Sequence, residues 1–203
     1  MDKRGREPFV QKADITIAGS VGLAGTFQIL HANRDLLEKN FPASFLEGAD
    51  QILSKEDPKR LAFSVKAMSE EDFGLVYICE GGPGGIEADL WKAGETVRSG
   101  LSADIGEIPI HQETVEIAEF LNIDPYRLDS AGSWVILSEN GRSVTEYFKR
   151  LGFRAATVGA LTSDKGRILL FDHGREKRFL ERVRSKEISE GKEEEKWKCR
   201  KRS

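Results

Sequence analysis

Residues 75–86 constrain the fold more than any other stretch of this chain of 203 residues. The sequence LVYICEGGPGGI joins an apolar run typical of a strand to four glycines and a proline. Apolar side chains then recur every three or four residues at Ile86, Leu90, Ala93 and Val97, which predicts an amphipathic helix. We therefore expect a strand that turns through a glycine-rich loop directly into a helix.

The four glycines of this loop, Gly81, Gly82, Gly84 and Gly85, have two interpretations. In the first, their backbone N–H groups and the positive end of the helix dipole face a phosphate or carboxylate ligand. In the second, the glycines only supply the positive φ angles of a tight strand-to-helix turn. The sequence leaves both open.

Bulk composition excludes several functional classes. A formal net charge of −3 does not favour nucleic acid or an anionic membrane surface as a partner. No apolar run approaches the length of a membrane span and no hydrophobic signal core follows Met1, so we expect a cytoplasmic protein. The two cysteines and three histidines show no metal-ligand spacing, and we expect neither a metal site nor a disulfide.

Predicted strands and helices alternate along the chain, which indicates an α/β (or α+β) fold with one sheet covered by helices. Ser143, with Glu146 three residues later, predicts a capped helix over 143–151. Two strands, 155–161 and 167–171, are separated by a hairpin-like loop. Residues 175–203 are rich in Lys, Arg and Glu, and we expect a charged tail that is helical or disordered.

Four stretches resemble the C-terminal domain of the aminoimidazole ribonucleotide synthase superfamily, with the synthase-related proteins and the hydrogenase maturation carbamoyl dehydratase as the most similar branch. They are DITIAGSVGLAGT (14–26), Glu80-Gly81-Gly82, IPIHQET through IDPYRL (108–128), and the SAGS strand with the ending at 152–161. The resemblance covers about residues 13–172. It implies one sheet with helices packed on one side, in a domain over 13–174 with a lead-in over 1–12.

The resemblance also implies that this chain lacks the family's ligands for ATP and magnesium. Enzymes of this superfamily hold ATP and magnesium on aspartates of an N-terminal domain, and this chain begins at about the point where that domain ends. Tyr77 and Cys79 stand where the family has an acidic (or His) residue and Thr. The resemblance therefore implies that ATP and magnesium bind only with a partner domain. It further implies a homodimer or a hetero-complex with an N-terminal-half chain, because a lone domain must cover the surface that this half would cover.

Individual side chains have competing interpretations. Cys79 is a candidate nucleophile near a helix N-terminus, or a small inert residue at a strand end. Glu80 is a candidate ligand or metal contact, or a charge that complements the helix dipole. Cys199 is compared with the reactive terminal cysteine of the maturation factor, but the sequence RKRS follows it, and a solvated tail residue is the simpler interpretation.

A secondary group of candidates lies outside the glycine-rich loop. Gly22, Gly25 and Thr26 form either a second small anion site or a close contact between helix and strand. Ser130 and Gly132 belong to the SAGS stretch and are secondary ligand-binding candidates through the resemblance.

Two functions follow from these features. The first is a non-catalytic C-terminal-type domain that binds a partner chain or a small anionic ligand. The alternative is half of an ATP-dependent enzyme of the synthase or dehydratase type, which activates an amide or carbonyl oxygen by phosphorylation and is completed by a separate ATP-binding chain.

Overall fold

The structure, a computed structural model, describes residues 12–172 and 174–182, apart from the side chains of residues 53 and 54. Within these ranges the strands are β1 (Asp14–Ala18), β2 (Leu75–Glu80), β3 (Gly100–Asp104), β4 (Trp134–Ser138), β5 (Ala155–Thr162), β6 (Arg167–Phe171) and β7 (Glu176–Phe179). The helices are α1 (Leu23–Ala32), α2 (Arg34–Glu38), α3 (Ala43–Lys55), α4 (Pro58–Lys66), α5 (Glu70–Phe73), α6 (Gly85–Thr96), α7 (Gln112–Phe120) and α8 (Gly141–Arg150). Short 3-10 turns cover Ile105–Glu107 and Pro125–Arg127.

The strands form one mixed sheet in the order β2-β4-β1-β5-β3-β6-β7. Its pairs are antiparallel except for β3 and β6, which run parallel. This confirms the prediction of an α/β fold built on a single sheet. Among the described strands β2 and β7 lie at the two ends of the sheet, so the predicted strand before the glycine-rich loop is an edge strand there.

The helices cover both faces of the sheet, whereas the resemblance implied one. Side chains alternate along β1, so Ile15 and Ile17 join the core formed with Ile86 and Leu90 of α6. On the opposite face, Ile136 of β4 packs in a second core, which contains residues of α4 and α8: Leu61, Val65, Val144 and Phe148. A strand with branched apolar residues at successive positions, such as β4, is typical of a sheet buried on both sides.

The connection from β5 to β6 is not a hairpin. β3 lies between these two strands and pairs with both of them, antiparallel with β5 and parallel with β6. The loop over 163–166 therefore crosses the end of β3, where the N–H of Gly100 donates to the carbonyl of Asp164 at 2.8 Å.

Two helix and tail predictions also change. Helix α8 begins at Gly141 and is capped by Asn140, whose side chain accepts from the N–H of Ser143, so Ser143 is not the cap. Part of the stretch over 175–203 is neither helical nor disordered, because Glu176–Phe179 forms β7 against β6. Residues 1–11 and 183–203, which include Cys199, lie outside the described residues.

Candidate functional site

The glycine-rich loop lies where the sequence predicts it. β2 ends at Glu80 and α6 begins at Gly85, with Gly84 as its N-terminal cap residue at φ 91°. Gly85 also has a positive φ, of 69°. These angles show why glycine is required at both positions, since side chains with a Cβ rarely adopt this region.

Three backbone N–H groups of this loop already have acceptors within the protein. Gly81 donates to the carbonyl of Ser133 at 2.8 Å, and Gly85 donates to the carbonyl of Gly82 at 3.1 Å. Gly82 donates to Oδ2 of Asp89 at 3.3 Å. An anion at the N–H of Gly82 would have to replace Asp89 as the acceptor, and this favours the tight-turn interpretation.

The glycines of the loop differ in how much space a side chain would have. A Cβ on Gly81 would lie 2.6 Å from the carbonyl oxygen of Ser130, and one on Gly85 would lie 2.7 Å from the Cα of Arg127. A Cβ on Gly82 would meet nothing within 4 Å. Gly81 and Gly85 thus allow close packing of backbone on backbone, whereas Gly82 presents an open face.

Asp89 is a site residue that sequence reasoning missed. It is buried beside the glycine-rich loop, and burial raises its pKa from 3.8 to about 7, although the bond from the N–H of Gly82 acts in the opposite direction. A signal was present, because position 89 lies three residues after Ile86, on the apolar face of the predicted helix. A carboxyl on that face must be buried, and a buried carboxyl favours its neutral form.

The environment of Cys79 does not activate its thiol as a nucleophile. Its side chain is buried among the residues that contact α6, and burial raises the pKa of the thiol. Burial likewise raises the pKa of the neighbouring Tyr77. Glu80, by contrast, is exposed at the end of β2. The thiolate is the reactive form of cysteine, so this environment favours the inert interpretation of Cys79.

The secondary candidates hold the start of α1 against the loop before β4. The N–H of Gly22 donates to Oγ of Ser130 at 3.0 Å, and the N–H of Gly25 donates to the carbonyl of Asp129 at 3.0 Å. Thr26 donates from Oγ1 to the carbonyl of Gly22 at 2.8 Å. These groups are used for packing within the protein.

Gly25 and Gly132 are required by their neighbours. A Cβ on Gly25 would lie 2.8 Å from the N–H nitrogen of Asp129. Gly132 has φ 90°, and a Cβ there would lie 3.0 Å from Pro58 of α4. The stretch that resembles the superfamily therefore brings α1, α4 and the loop before β4 into direct contact.

A polar cluster that the sequence did not reveal joins three distant segments. Glu56, directly after α3, accepts at Oε1 from Oγ of Ser20 at 2.9 Å and from Nε2 of His111 at 3.1 Å. The bond from His111 is the main cause of the lowered pKa of Glu56. Ser20 and His111 are buried, and Glu56 lines two cavities. Sequence separations of 36 and 55 residues explain why no local pattern indicated this cluster.

Within residues 12–172 and 174–182, no group of three or more His, Cys, Asp or Glu side chains is placed to hold a metal ion. No helix in the same ranges is both long enough and apolar enough to cross a membrane.

Comparison with known proteins identifies the fold. No family model matches the sequence, and no curated protein matches it significantly. Escherichia coli HypE, a hydrogenase maturation protein, superposes with a TM-score of 0.65 at 17% identity, over 88% of this chain and 52% of HypE. A chain of a HypE–HypF complex superposes with a TM-score of 0.62 at 16% identity, over 84% of this chain and 53% of its own length.

A kinase is also among the similar structures. Thiamine-monophosphate kinase from Stenotrophomonas maltophilia superposes with a TM-score of 0.54 at 17% identity, over 79% of this chain and 50% of the kinase. The chain thus spans about half the length of these neighbours. The fold agrees with the resemblance seen in the sequence, because this chain has the fold of about half of each of these neighbours.

Proposed function

We propose that this chain is a binding domain of the superfamily's C-terminal type and that it docks on a separate ATP-binding domain through the edge of β2 and the glycine-rich loop. We call this surface the β2 edge. It comprises half-exposed and exposed positions of the strand and loop: Val76, Ile78, Glu80, Gly82 and Pro83.

The observation that carries this proposal is the unprotected character of β2. The strand pairs only with β4 among the described strands, so no described strand meets the backbone groups of its other edge. Proteins usually protect such an edge with charged residues or a proline within the strand. β2 instead has half-exposed Val76 and Ile78 at its centre.

The opposite end of the sheet shows the contrast. The edge strand β7 has the sequence EKRF, with every residue exposed, and its charged side chains deter pairing with another strand. One sheet therefore has a protected edge and an unprotected edge. This difference favours β2 as the docking edge.

The comparisons support an ATP-binding domain as the partner. HypE, of which this chain matches about half, has been solved in complex with ATP. A domain of the ATP-binding type is therefore the partner that would extend this fold toward the whole length of its neighbours. The complex would then be the ATP-dependent enzyme of the alternative hypothesis, with phosphoryl activation of an amide or carbonyl oxygen as its reaction class.

A small anionic ligand at the loop is the second candidate. The open face of Gly82 supports it, because a ligand could approach the backbone there without meeting a side chain. Titration of the full chain with MgATP, MgADP and phosphate, each followed by calorimetry, separates this candidate from docking. Saturable heat with the chain alone would favour the ligand.

Light scattering coupled to size exclusion tests the docking directly. The full chain is measured alone and mixed with a separately expressed ATP-binding N-terminal domain of a superfamily protein from the same organism. We expect a stable complex that Gly82→Trp abolishes, since the added side chain obstructs the β2 edge at a position where a Cβ meets nothing within 4 Å.

The matched control is Gly48→Trp on α3, where a Cβ also meets nothing within 4 Å. This variant should bind like the wild type because α3 lies outside the β2 edge. A chain that stays monomeric alone and in the mixture would contradict the proposal, and a homodimer disrupted by Gly82→Trp would replace the separate domain with a second copy.

Cytoplasmic localisation remains a prediction, which fractionation of expressing cells tests.

A further inference from the structure

A cavity of about 570 Å³ opens between α1, α4 and the loop before β4. Its volume lies in the range of about 300–1,000 Å³ that is typical of small-molecule sites. Most of its wall is apolar and comes from two helices and the loop: Leu23, Ala24, Phe27, Pro58, Leu61 and Ala131. Phe27 is 47% exposed, so an aromatic ring remains open to a ligand at this cavity.

The polar part of this cavity is acidic. Among the lining residues that the structure describes, the ionisable ones are Asp50 and Glu56, and the neutral polar ones are Ser20 and Gln28. Asp50 pairs with Nη1 of Arg34 at 2.8 Å, and its side chain is 48% exposed. Glu56 lies deeper, with 20% of its side chain exposed.

The carboxylate of Glu56 is fixed in position. Its Oε1 accepts from both Ser20 and His111, which are 4% and 8% exposed. A carboxylate offers about four acceptor positions on its two oxygens, so these two bonds leave acceptor capacity toward a ligand. Because His111 lowers the pKa of Glu56, the carboxylate is ionised at neutral pH.

Basic side chains near Glu56 line a different space. A second cavity of about 290 Å³ also has Glu56 in its wall, and its other ionisable lining residues are Lys55, Asp57, Arg60, His111 and Arg154. Two neighbouring cavities therefore share Glu56 but differ in charge. The larger one combines apolar walls with carboxylates, and that combination is complementary to an apolar molecule bearing a cation.

We propose that the larger cavity binds a small organic amine, with its apolar body between α1 and α4 and its ammonium group on the carboxylate of Glu56. An ammonium group donates up to three hydrogen bonds, and a bond between two charged groups is shorter and stronger than a neutral one. The ring of Phe27 adds an aromatic face that attracts a cation. This site is independent of docking at the β2 edge.

Calorimetric titration of the full chain with three indole probes that differ in charge tests whether the cavity prefers a cation. Tryptamine is the cation, tryptophol is the neutral analogue with a hydroxyl in place of the ammonium, and indole-3-acetate is the anion. We expect tryptamine to bind about tenfold more tightly than tryptophol, the ratio that one charge-assisted hydrogen bond supplies. Indole-3-acetate should bind most weakly.

Glu56→Gln tests the role of the carboxylate, because it keeps the shape and an acceptor but removes the charge. It should weaken the binding of tryptamine about tenfold and leave the affinity for tryptophol unchanged. Glu47→Gln is the matched control, since Glu47 is an exposed carboxylate on α3 that does not line the cavity. If Glu56→Gln does not fold, Ala24→Phe blocks the cavity sterically and should abolish binding of all three probes.

Amide chemical shifts locate the bound probe. Tryptamine should shift signals of the segment 20–28, and the shifts should disappear in Ala24→Phe. Absence of binding by tryptamine at millimolar concentration, equal affinity for the three probes, or retained preference in Glu56→Gln would each overturn the proposal.

Discussion

Glu87 of α6 is a buried carboxylate that two arginines hold from different segments. Its side chain is 2% exposed, Oε2 accepts from Nε of Arg127 at 3.3 Å, and Oε1 pairs with Nη2 of Arg178 on β7. Replacing Glu87 with Gln removes the charge while keeping the shape. Both arginines then lose a charged acceptor.

The cost follows from the exposure of the partners. Removing one member of a fully buried ion pair costs about 3–5 kcal/mol, because the remaining charge is stranded. The side chains of Arg127 and Arg178 are 40% and 43% exposed, so water can solvate them again. We therefore expect Glu87→Gln to lower the free energy of unfolding by about 2–3 kcal/mol, below the range for a fully buried pair.

Urea unfolding followed by tryptophan fluorescence measures this change. The matched control is Glu95→Gln on the same helix, because Glu95 lies 3.8 Å from Arg182 and both side chains are more than half exposed. An exposed pair contributes little, and we expect a change within about 0.5 kcal/mol. Equal effects of the two substitutions would refute the assignment of Glu87 as a buried link between α6, the turn at 125–127 and β7.

Three further predictions concern the glycine-rich loop and its neighbours. Gly85→Ala should lower the free energy of unfolding by more than about 2 kcal/mol, because a Cβ there overlaps Arg127 at positive φ, whereas Gly82→Ala should change it by less than about 1 kcal/mol; urea unfolding of both variants checks this. In a Cys199→Ser background, Cys79 should react with iodoacetamide at pH 8 more slowly in the folded protein than after denaturation, because burial raises its pKa; equal rates measured by mass spectrometry would contradict this. Since the pKa of Asp89 rises from 3.8 to about 7 on folding, the folded state retains a proton that the unfolded chain releases, and the stability of the wild type relative to Asp89→Asn should fall between about pH 4 and pH 7. Urea unfolding at several pH values tests this, and a difference that does not vary with pH would show that Asp89 titrates normally.

Local patterns predicted the elements that depend on short-range physics. The strand, glycine-rich loop and helix over residues 75–97 appear as the apolar spacing indicates. The order of strands could not be derived in this way. β3 lies between β5 and β6 because of pairing across the sheet, and a short polar loop between two strands does not reveal a third strand inserted between them.

The candidate site shows the same limit. Gly81, Gly82 and Gly85 were recognised from sequence, but their N–H groups are used by Asp89 and by backbone carbonyls that only the folded structure brings near. Glu56 and His111 meet across 55 residues, and no spacing rule connects them. Sequence therefore located the loop, whereas its hydrogen bonds and the acidic cavity depend on tertiary packing.

Hydrogen exchange of the full chain, with and without the ATP-binding domain, tests the docking proposal most directly. We expect slower exchange over residues 75–83 on mixing, because the unpaired edge of β2 gains a partner, and no change over Glu176–Phe179 at the protected edge. Unchanged exchange over 75–83, or protection confined to β7, would contradict it.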